Sequence, residues 1–113
     1  MIVYGIKNCD TVKKARVWLE SNKLEYQFHD YKKEGLNAAL LDRFISQFGY
    51  EVLMNKRGTT WRKLAEADKD NLTEEKAKAL LLANSSLLKR PIIEHDNGWL
   101  IGFVADEYQQ KLL

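Results

Sequence analysis

Residues 1–29, MIVYGIKNCDTVKKARVWLESNKLEYQFH, decide the fold that we predict for this chain. Residues 1–6 are apolar and rich in β-branched and aromatic side chains, which favours a buried strand. From Asp10, the candidate N-cap, residues 10–21 carry apolar side chains at helical spacing. Residues 24–29 then alternate between apolar and polar side chains, as a half-buried strand does. The resulting β-α-β order predicts two parallel strands joined by a right-handed crossover.

The middle of the chain changes to helical spacing. Residues 36–48 carry an apolar stripe that ends at Gly49, a suitable C-cap. A second, short helix is expected to begin near Thr59, where a hydroxyl can cap it, and Thr73 is the expected cap of a third. The second helix is expected to turn three side chains inward: Trp61, Leu64 and Ala65. We therefore predict a helical insert over residues 36–88.

The last quarter of the chain predicts a hairpin and a helix. After Pro91, two β-rich runs at residues 92–95 and 99–102 flank an Asn-Gly turn, which is a strong hairpin signal. A helix over residues 105–113 is expected to close the chain. The whole order, β-α-β, helices, then β-β-α, predicts an α/β fold with a mixed four-stranded sheet, in the order of the thioredoxin fold.

Composition sets further bounds. The 113 residues suit one domain, and 45% hydrophobic residues with a net charge of only +2 argue against disorder. No apolar run approaches the roughly 20 residues of a membrane span, and no basic leader precedes the first apolar stretch. We therefore expect a cytoplasmic protein without a membrane partner. A net charge this small, without a known motif, also argues against nucleic-acid binding.

Cys9 is the only cysteine, so it cannot form an internal disulfide. It lies between a predicted strand and a predicted helix, where the helix dipole and nearby cations favour a thiolate. The candidate cations are Lys7, Lys13 and Arg90. Local sequence alone favours the alternative, an unreactive cysteine that serves as a small buried apolar residue.

The densest basic stretch contains four cationic residues without an acidic one among them: Lys56, Arg57, Arg62 and Lys63. Such a stretch can bind a small anion or can simply form a solvated face.

Four segments together resemble a known family. They are YGIKNCDTVKKARVWL (4–19), NKRGTTWRKL (55–64), LLKRPIIE (87–94) and GWLIGF (98–103). They resemble the ArsC/Spx family, most of all its YffB-like subgroup, in order and at similar spacing over nearly the whole chain. The resemblance implies a thioredoxin-like fold with a helical insert.

The resemblance also implies a site. Cys9 matches the nucleophilic cysteine, and Arg90 matches the arginine before a cis-proline, Pro91. Thr11 matches a residue of the same anion-binding loop. With Lys13 and Arg57 as further sources of charge, the residues that we expect to bind or surround an anion are Thr11, Lys13, Arg57, Arg90 and Pro91. No bound cofactor or metal is expected, glutathione is the expected co-substrate, glutaredoxin is a further candidate partner, and a monomer is expected.

Three functions follow from the resemblance. The first is a thiol oxidoreductase that uses glutathione or a similar small thiol, with Cys9 as the single nucleophile. The second is a glutathione- and glutaredoxin-dependent arsenate reductase. Against it, two further arginines of these reductases align here with Asn55 and with Gly102-Phe103, and a serine aligns with Val12; Arg57 is the nearest substitute for one arginine. The third is an Spx-like regulator that binds RNA polymerase, although the C-x-x-C switch common in Spx proteins is absent.

Overall fold

In the computed structural model, which describes residues 1–113, the chain divides into two units. Met1–Gly35 and Arg90–Leu113 form the first unit, and Leu36–Lys89 form the second. The strands are β1 (Ile2–Gly5), β2 (Gln27–Asp30), β3 (Ile92–His95) and β4 (Gly98–Ile101). The helices are α1 (Asp10–Ser21), α2 (Tyr31–Glu34), α3 (Ala38–Phe48), α4 (Tyr50–Leu53), α5 (Thr59–Lys63), α6 (Glu66–Lys69), α7 (Glu74–Ala83) and α8 (Ala105–Leu112).

The four strands form one mixed sheet in the order β2-β1-β3-β4. β1 and β2 are parallel, whereas β3 is antiparallel to both β1 and β4. The predicted α/β fold class and mixed four-stranded sheet are therefore confirmed. The hairpin turn is also as predicted, because Gly98 adopts a φ of +121°, which glycine reaches without a steric penalty.

One row of apolar side chains crosses the sheet of the first unit. The strand register sets Phe28, Val3, Ile93 and Leu100 side by side. Ala15 and Leu19 of α1 and Tyr108 and Leu112 of α8 complete the same buried cluster. The two helices thus stabilise the sheet through apolar burial on this face.

The ends of three strands meet at one end of this sheet, which we call the Cys9 end. β1 and β2 are parallel and pair Gly5 with Asp30, so both strands finish there. β3 runs the opposite way and pairs Ile92 with Tyr4, so it begins there. The residues that follow β1, follow β2 and precede β3 therefore lie at the Cys9 end.

Gly5, the last residue of β1, permits close packing of α1. A Cβ atom built on Gly5 would lie 3.0 Å from Cγ2 and 3.2 Å from Cγ1 of Val12. Val12 is fully buried, and its branched side chain has few alternative rotamers in a helix. The missing side chain at position 5 thus allows the first turn of α1 to lie against the end of β1.

The second unit contains α3 to α7 and a short 3-10 turn, Ser85–Leu87. Its buried side chains are Leu41, Phe44, Ile45, Leu53, Met54, Ala77, Leu81, Leu87 and Leu88. The predicted caps are confirmed: Gly49 ends α3 at a φ of +83°, and the Thr73 hydroxyl accepts the amide of Lys76 at 3.2 Å. None of the eight α-helices combines the length and apolar character that a bilayer crossing requires.

Two predictions for the first unit were wrong in detail. The N-cap of α1 is Cys9 rather than Asp10, because the extended backbone ends at Cys9 (φ −129°, ψ 125°). Asp10 instead lies in the first turn, where its negative charge interacts favourably with the helix dipole. β2 begins at Gln27 rather than at residue 24, since the residues before it pack against the core without pairing with β1.

The short second helix also differs from its prediction. α5 buries no side chain and begins after Gly58, without a hydroxyl cap. Trp61 is half-buried because its ring lies beneath two ammonium groups, Lys56 Nζ at 5.4 Å and Lys69 Nζ at 5.7 Å from its centroid. The ring is therefore not fully buried as we expected, and two cation–π contacts cover it.

The contact between Gly5 and Val12 predicts the cost of a single methyl group. Gly5→Ala should lower the free energy of unfolding by about 1–3 kcal/mol, because the added methyl group overpacks a stiff, buried neighbour. Denaturant titration measures the change. The variant Gly5→Ala/Val12→Ala, which removes the opposing methyl groups, should relieve the overpacking. Unchanged stability of Gly5→Ala would contradict a close approach of Gly5 to Val12.

Candidate active site at the Cys9 end of the sheet

Cys9 occupies the junction between β1 and α1. It is the N-cap of α1, its carbonyl accepts the amide of Lys13 at 2.9 Å, and its side chain is half-buried. The first-turn amides of an α-helix have no partner within the helix, and no side chain caps α1. The sulfur therefore lies at the positive end of a 12-residue helix while remaining accessible to a reactant.

Arg90 and Pro91 reach the same end of the sheet from β3. The peptide bond between them is cis, as the resemblance implied. The carbonyl of Pro91 accepts the amide of Gly102 at 2.8 Å, so the backbone after β4 joins the segment before β3. Pro91 is buried and Arg90 is partly buried.

Tyr31 is the third side chain at the Cys9 end. It follows directly after β2, is only 2% exposed, and finds no protein acceptor for its hydroxyl. Burial raises the pKa of Tyr31 to about 12, and the nearby Arg90 guanidinium opposes that rise. The charges of Cys9 and Asp30 add to it. The Tyr31 hydroxyl thus lies within electrostatic reach of both Cys9 and Arg90, and it stays protonated at neutral pH.

Thr11 and Lys13, which the sequence also assigned to the site, lie in the first turns of α1 and are exposed. Their backbones belong to the start of α1, where Cys9 is the N-cap residue. Val12 lies between them and is fully buried against Gly5. The serine that the resemblance places at position 12 is therefore replaced by a core residue, not by another polar ligand.

Arg57 lies in the second unit and is exposed. Its amide donates to Asn55 Oδ1 at 3.1 Å, and its carbonyl accepts Arg62 Nη2 at 3.2 Å. A cleft of about 500 Å³ in this unit is lined by Glu51, Met54, Asn55, Lys56, Arg57 and Lys89. Arg57 thus belongs to a cleft of the second unit that other cations also line, whereas Cys9 and Arg90 belong to the first unit.

Tyr31 was missing from the sequence-based site. The segment YKKE has neither a motif nor a useful period, and Tyr31 stands among charged residues that suggest an exposed turn. One signal could have identified it: an aromatic residue directly after β2 must lie at the sheet end where β1 also finishes, if the two strands are parallel.

Comparison with known proteins agrees with this architecture. The model of the ArsC family matches residues 4–111. The chain is 33% identical over 107 residues to the global transcriptional regulator Spx of Streptococcus agalactiae, covering 93% of this chain and 77% of Spx.

Two solved structures are more similar. One is a YFFB protein, 46% identical, with a TM-score of 0.94 over 99% of this chain and 98% of its own. The other is an arsenate reductase (ArsC) related protein from Brucella melitensis, 49% identical, with a TM-score of 0.80 over 98% of this chain and 92% of its own. The family model spans almost the whole sequence, and the solved relatives share its fold from end to end. This chain belongs to the ArsC family.

Proposed function

We propose that this protein is a thiol oxidoreductase that uses glutathione or a similar small thiol, with Cys9 as its nucleophile. The observation that carries the proposal is the arrangement at the Cys9 end of the sheet. A single accessible cysteine lies at a helix start that no side chain caps, and Tyr31 lies within electrostatic reach of both Arg90 and Cys9. Such a site offers the positive end of a helix and a guanidinium to an anionic partner.

The chemistry is thiol–disulfide exchange in two steps. In the first, the Cys9 thiolate attacks the glutathione sulfur of a mixed disulfide, forming a Cys9–glutathione disulfide and releasing the other thiol as its thiolate. In the second, a glutathione thiolate attacks the glutathione sulfur of that adduct, which regenerates the Cys9 thiolate and yields oxidised glutathione. The substrate disulfide is reduced, and its glutathionyl group leaves with one free glutathione as oxidised glutathione.

An external thiol is required because the chain has no second cysteine. Glutathione or glutaredoxin would perform the second step. Glutathione carries two carboxylates, and a guanidinium can hold one of them through two parallel hydrogen bonds. Arg90 is the arginine at the Cys9 end that can take this role. A reduced cytoplasm, the location that we propose, would supply the thiol.

Similarity to Spx favours a second candidate function, binding to RNA polymerase. A pull-down with purified RNA polymerase tests it. Stable binding to the polymerase, together with no reaction of Cys9 with glutathione disulfide, would favour the regulator over the enzyme.

The proposal predicts a specific covalent adduct. Treatment with oxidised glutathione should add one glutathione per chain at Cys9, and reduced glutathione should remove it. Intact-mass spectrometry follows both steps, with Cys9→Ser as the control that forms no adduct. An adduct that forms no faster than on an unstructured cysteine peptide would contradict the proposal, because the site would then add nothing to the reactivity of the thiol.

Arg90→Ala should slow adduct formation more than it lowers stability. Loss of a hydrogen-bonded charge contact of about 1.5–3 kcal/mol corresponds to roughly tenfold or more in rate or affinity. Stopped-flow kinetics with glutathione disulfide and thermal melts on the same variant separate the two effects. Arg90→Lys keeps the charge but not the planar fork, and should recover only part of the loss. A large fall in melting temperature with unchanged kinetics would make Arg90 structural.

Arsenate reduction should stay near background. An arsenate dianion beside the Cys9 thiolate brings about three negative charges together, and each uncompensated charge taken from water costs several kcal/mol. Relative to the reductases that it resembles, this chain has Asn55 and Gly102-Phe103 in place of two arginines, and the Gly102 amide is already bonded to Pro91. Coupled turnover with glutathione, glutaredoxin and arsenate measures the activity. Rapid turnover would contradict this prediction and would make arsenate reductase the leading function.

A further inference from the structure

Gly102, the residue that follows β4, lies between two hydrogen bonds. Its amide donates to the Pro91 carbonyl at 2.8 Å, and its carbonyl accepts the Tyr108 hydroxyl at 2.5 Å. Its φ of +74° lies in the left-handed region, and no atom of another segment lies within 4 Å of the position where a side chain would begin. Since glycine has the most permissive backbone, the two hydrogen bonds restrain a residue that no side-chain packing holds in place.

The Tyr108 hydroxyl has a well-defined position. The side chain, on α8, is fully buried, and its ring meets two others edge to face, Trp18 of α1 at 5.4 Å and Phe103 at 4.9 Å between centroids. This geometry is favourable between aromatic rings, and close packing limits the movement of a buried ring. Burial raises the pKa of Tyr108, and the charge of Glu107 adds to the rise. The hydroxyl therefore stays protonated at neutral pH and remains a donor.

Pro91 has one backbone group through which a hydrogen bond can hold it. Proline has no amide hydrogen, so only its carbonyl can form a main-chain hydrogen bond. That carbonyl accepts the Gly102 amide, and the Pro91 side chain is buried. Arg90 is bonded covalently to Pro91, so the point from which its side chain extends depends on the position of Pro91. The hydrogen bond from Gly102 thus affects the residue to which the proposed function assigns the glutathione carboxylate.

We propose that Tyr108 is a positioning residue of the candidate active site, and that it holds Arg90 in place through Gly102 and Pro91. The inference rests on the proposed function, because that function gives Arg90 a carboxylate to bind. Tyr108 is fully buried, so it acts through the backbone and not on the ligand. A purely structural role would require only that the buried hydroxyl find an acceptor, and the experiment separates the two roles.

Tyr108→Phe removes the hydroxyl and keeps the ring. In each variant we compare two rates of Cys9, its reaction with oxidised glutathione, which is anionic, and its alkylation by iodoacetamide, which is uncharged. Both reactions need the thiolate, so a change in the thiolate fraction cancels in their ratio. The ratio of the glutathione rate to the iodoacetamide rate should fall by about fivefold, the equivalent of one net hydrogen bond. An unchanged ratio would overturn the proposal.

The same substitution in an Arg90→Ala background shows whether Tyr108 acts through Arg90. Arg90→Ala alone should lower the ratio, because the guanidinium that binds the carboxylate is lost. Adding Tyr108→Phe should then lower it no further, so the two substitutions should be strongly non-additive. A further fall of about fivefold in the double variant would mean that Tyr108 acts independently of Arg90, and it would overturn the proposal.

Tyr26→Phe is the matched control. Its hydroxyl is also hydrogen-bonded within the first unit, where it accepts Arg16 Nε at 2.9 Å. Tyr26 precedes β2, so it lies at the end of the sheet opposite to the Cys9 end. Its removal should leave the ratio unchanged. If Tyr26→Phe lowered the ratio as much as Tyr108→Phe, the effect would be a general result of loosening the first unit, and the proposal would be overturned.

Amide hydrogen exchange tests the restraint on Gly102 without glutathione. In the unmodified protein the Gly102 amide should be protected, and Tyr108→Phe should speed its exchange by about fivefold while the Leu100 amide, which belongs to the paired part of β4, is unaffected. Exchange of Gly102 at the rate of an unstructured peptide in the unmodified protein would overturn the proposal even if the variant failed to fold. Faster exchange in the variant, with no glutathione adduct on the unmodified protein, would count against the proposed function alone.

Discussion

The parallel register that pairs Gly5 with Asp30 is the constraint on which the Cys9 end of the sheet depends. It brings the ends of β1 and β2 together, so the residues that follow them, Cys9 and Tyr31, approach from neighbouring strands. A slip of one residue would turn every side chain of β2 to the other face of the sheet. The buried row that includes Val3 and Phe28 would then be lost, which is why the register is held firmly.

The packing of α1 on β1 also fixes the position of Cys9. Val12 fills the space that Gly5 leaves open, and the helix start is thereby held against the strand end. A cysteine at this start is positioned by core packing rather than by a flexible loop. A site whose chemistry depends on electrostatics benefits from such fixed positioning.

Much of this architecture could be predicted from the sequence because its signals are local. The hairpin follows from Asn97-Gly98, and the caps at Gly49 and Thr73 follow from side-chain chemistry within one helical turn. The misplaced start of β2 has a different cause. Leu24 and Tyr26 are apolar at alternating positions because they pack on the core, and alternation alone does not show where pairing with β1 begins.

The site was predictable only in part, because sequence patterns reveal interactions between near neighbours and not between distant segments. Cys9 and Arg90 could be named from motifs, but the place of Tyr31 depends on the pairing of β1 with β2, whose residues lie more than twenty positions apart in sequence. Trp61 was expected in the core. Two lysines cover its ring instead, and no sequence pattern links them to it. Sequence patterns do not identify side-chain partners that are distant in sequence.

We propose that three strand ends together form one site for a small anionic thiol. Amide chemical-shift mapping of the unmodified protein with reduced glutathione tests it most directly. We expect the perturbed amides to be those of residues 9–13, Tyr31 and Arg90, with saturation on further addition. Perturbations confined to the cleft around Lys56 and Arg57, or none at concentrations typical of a cell, would contradict the account.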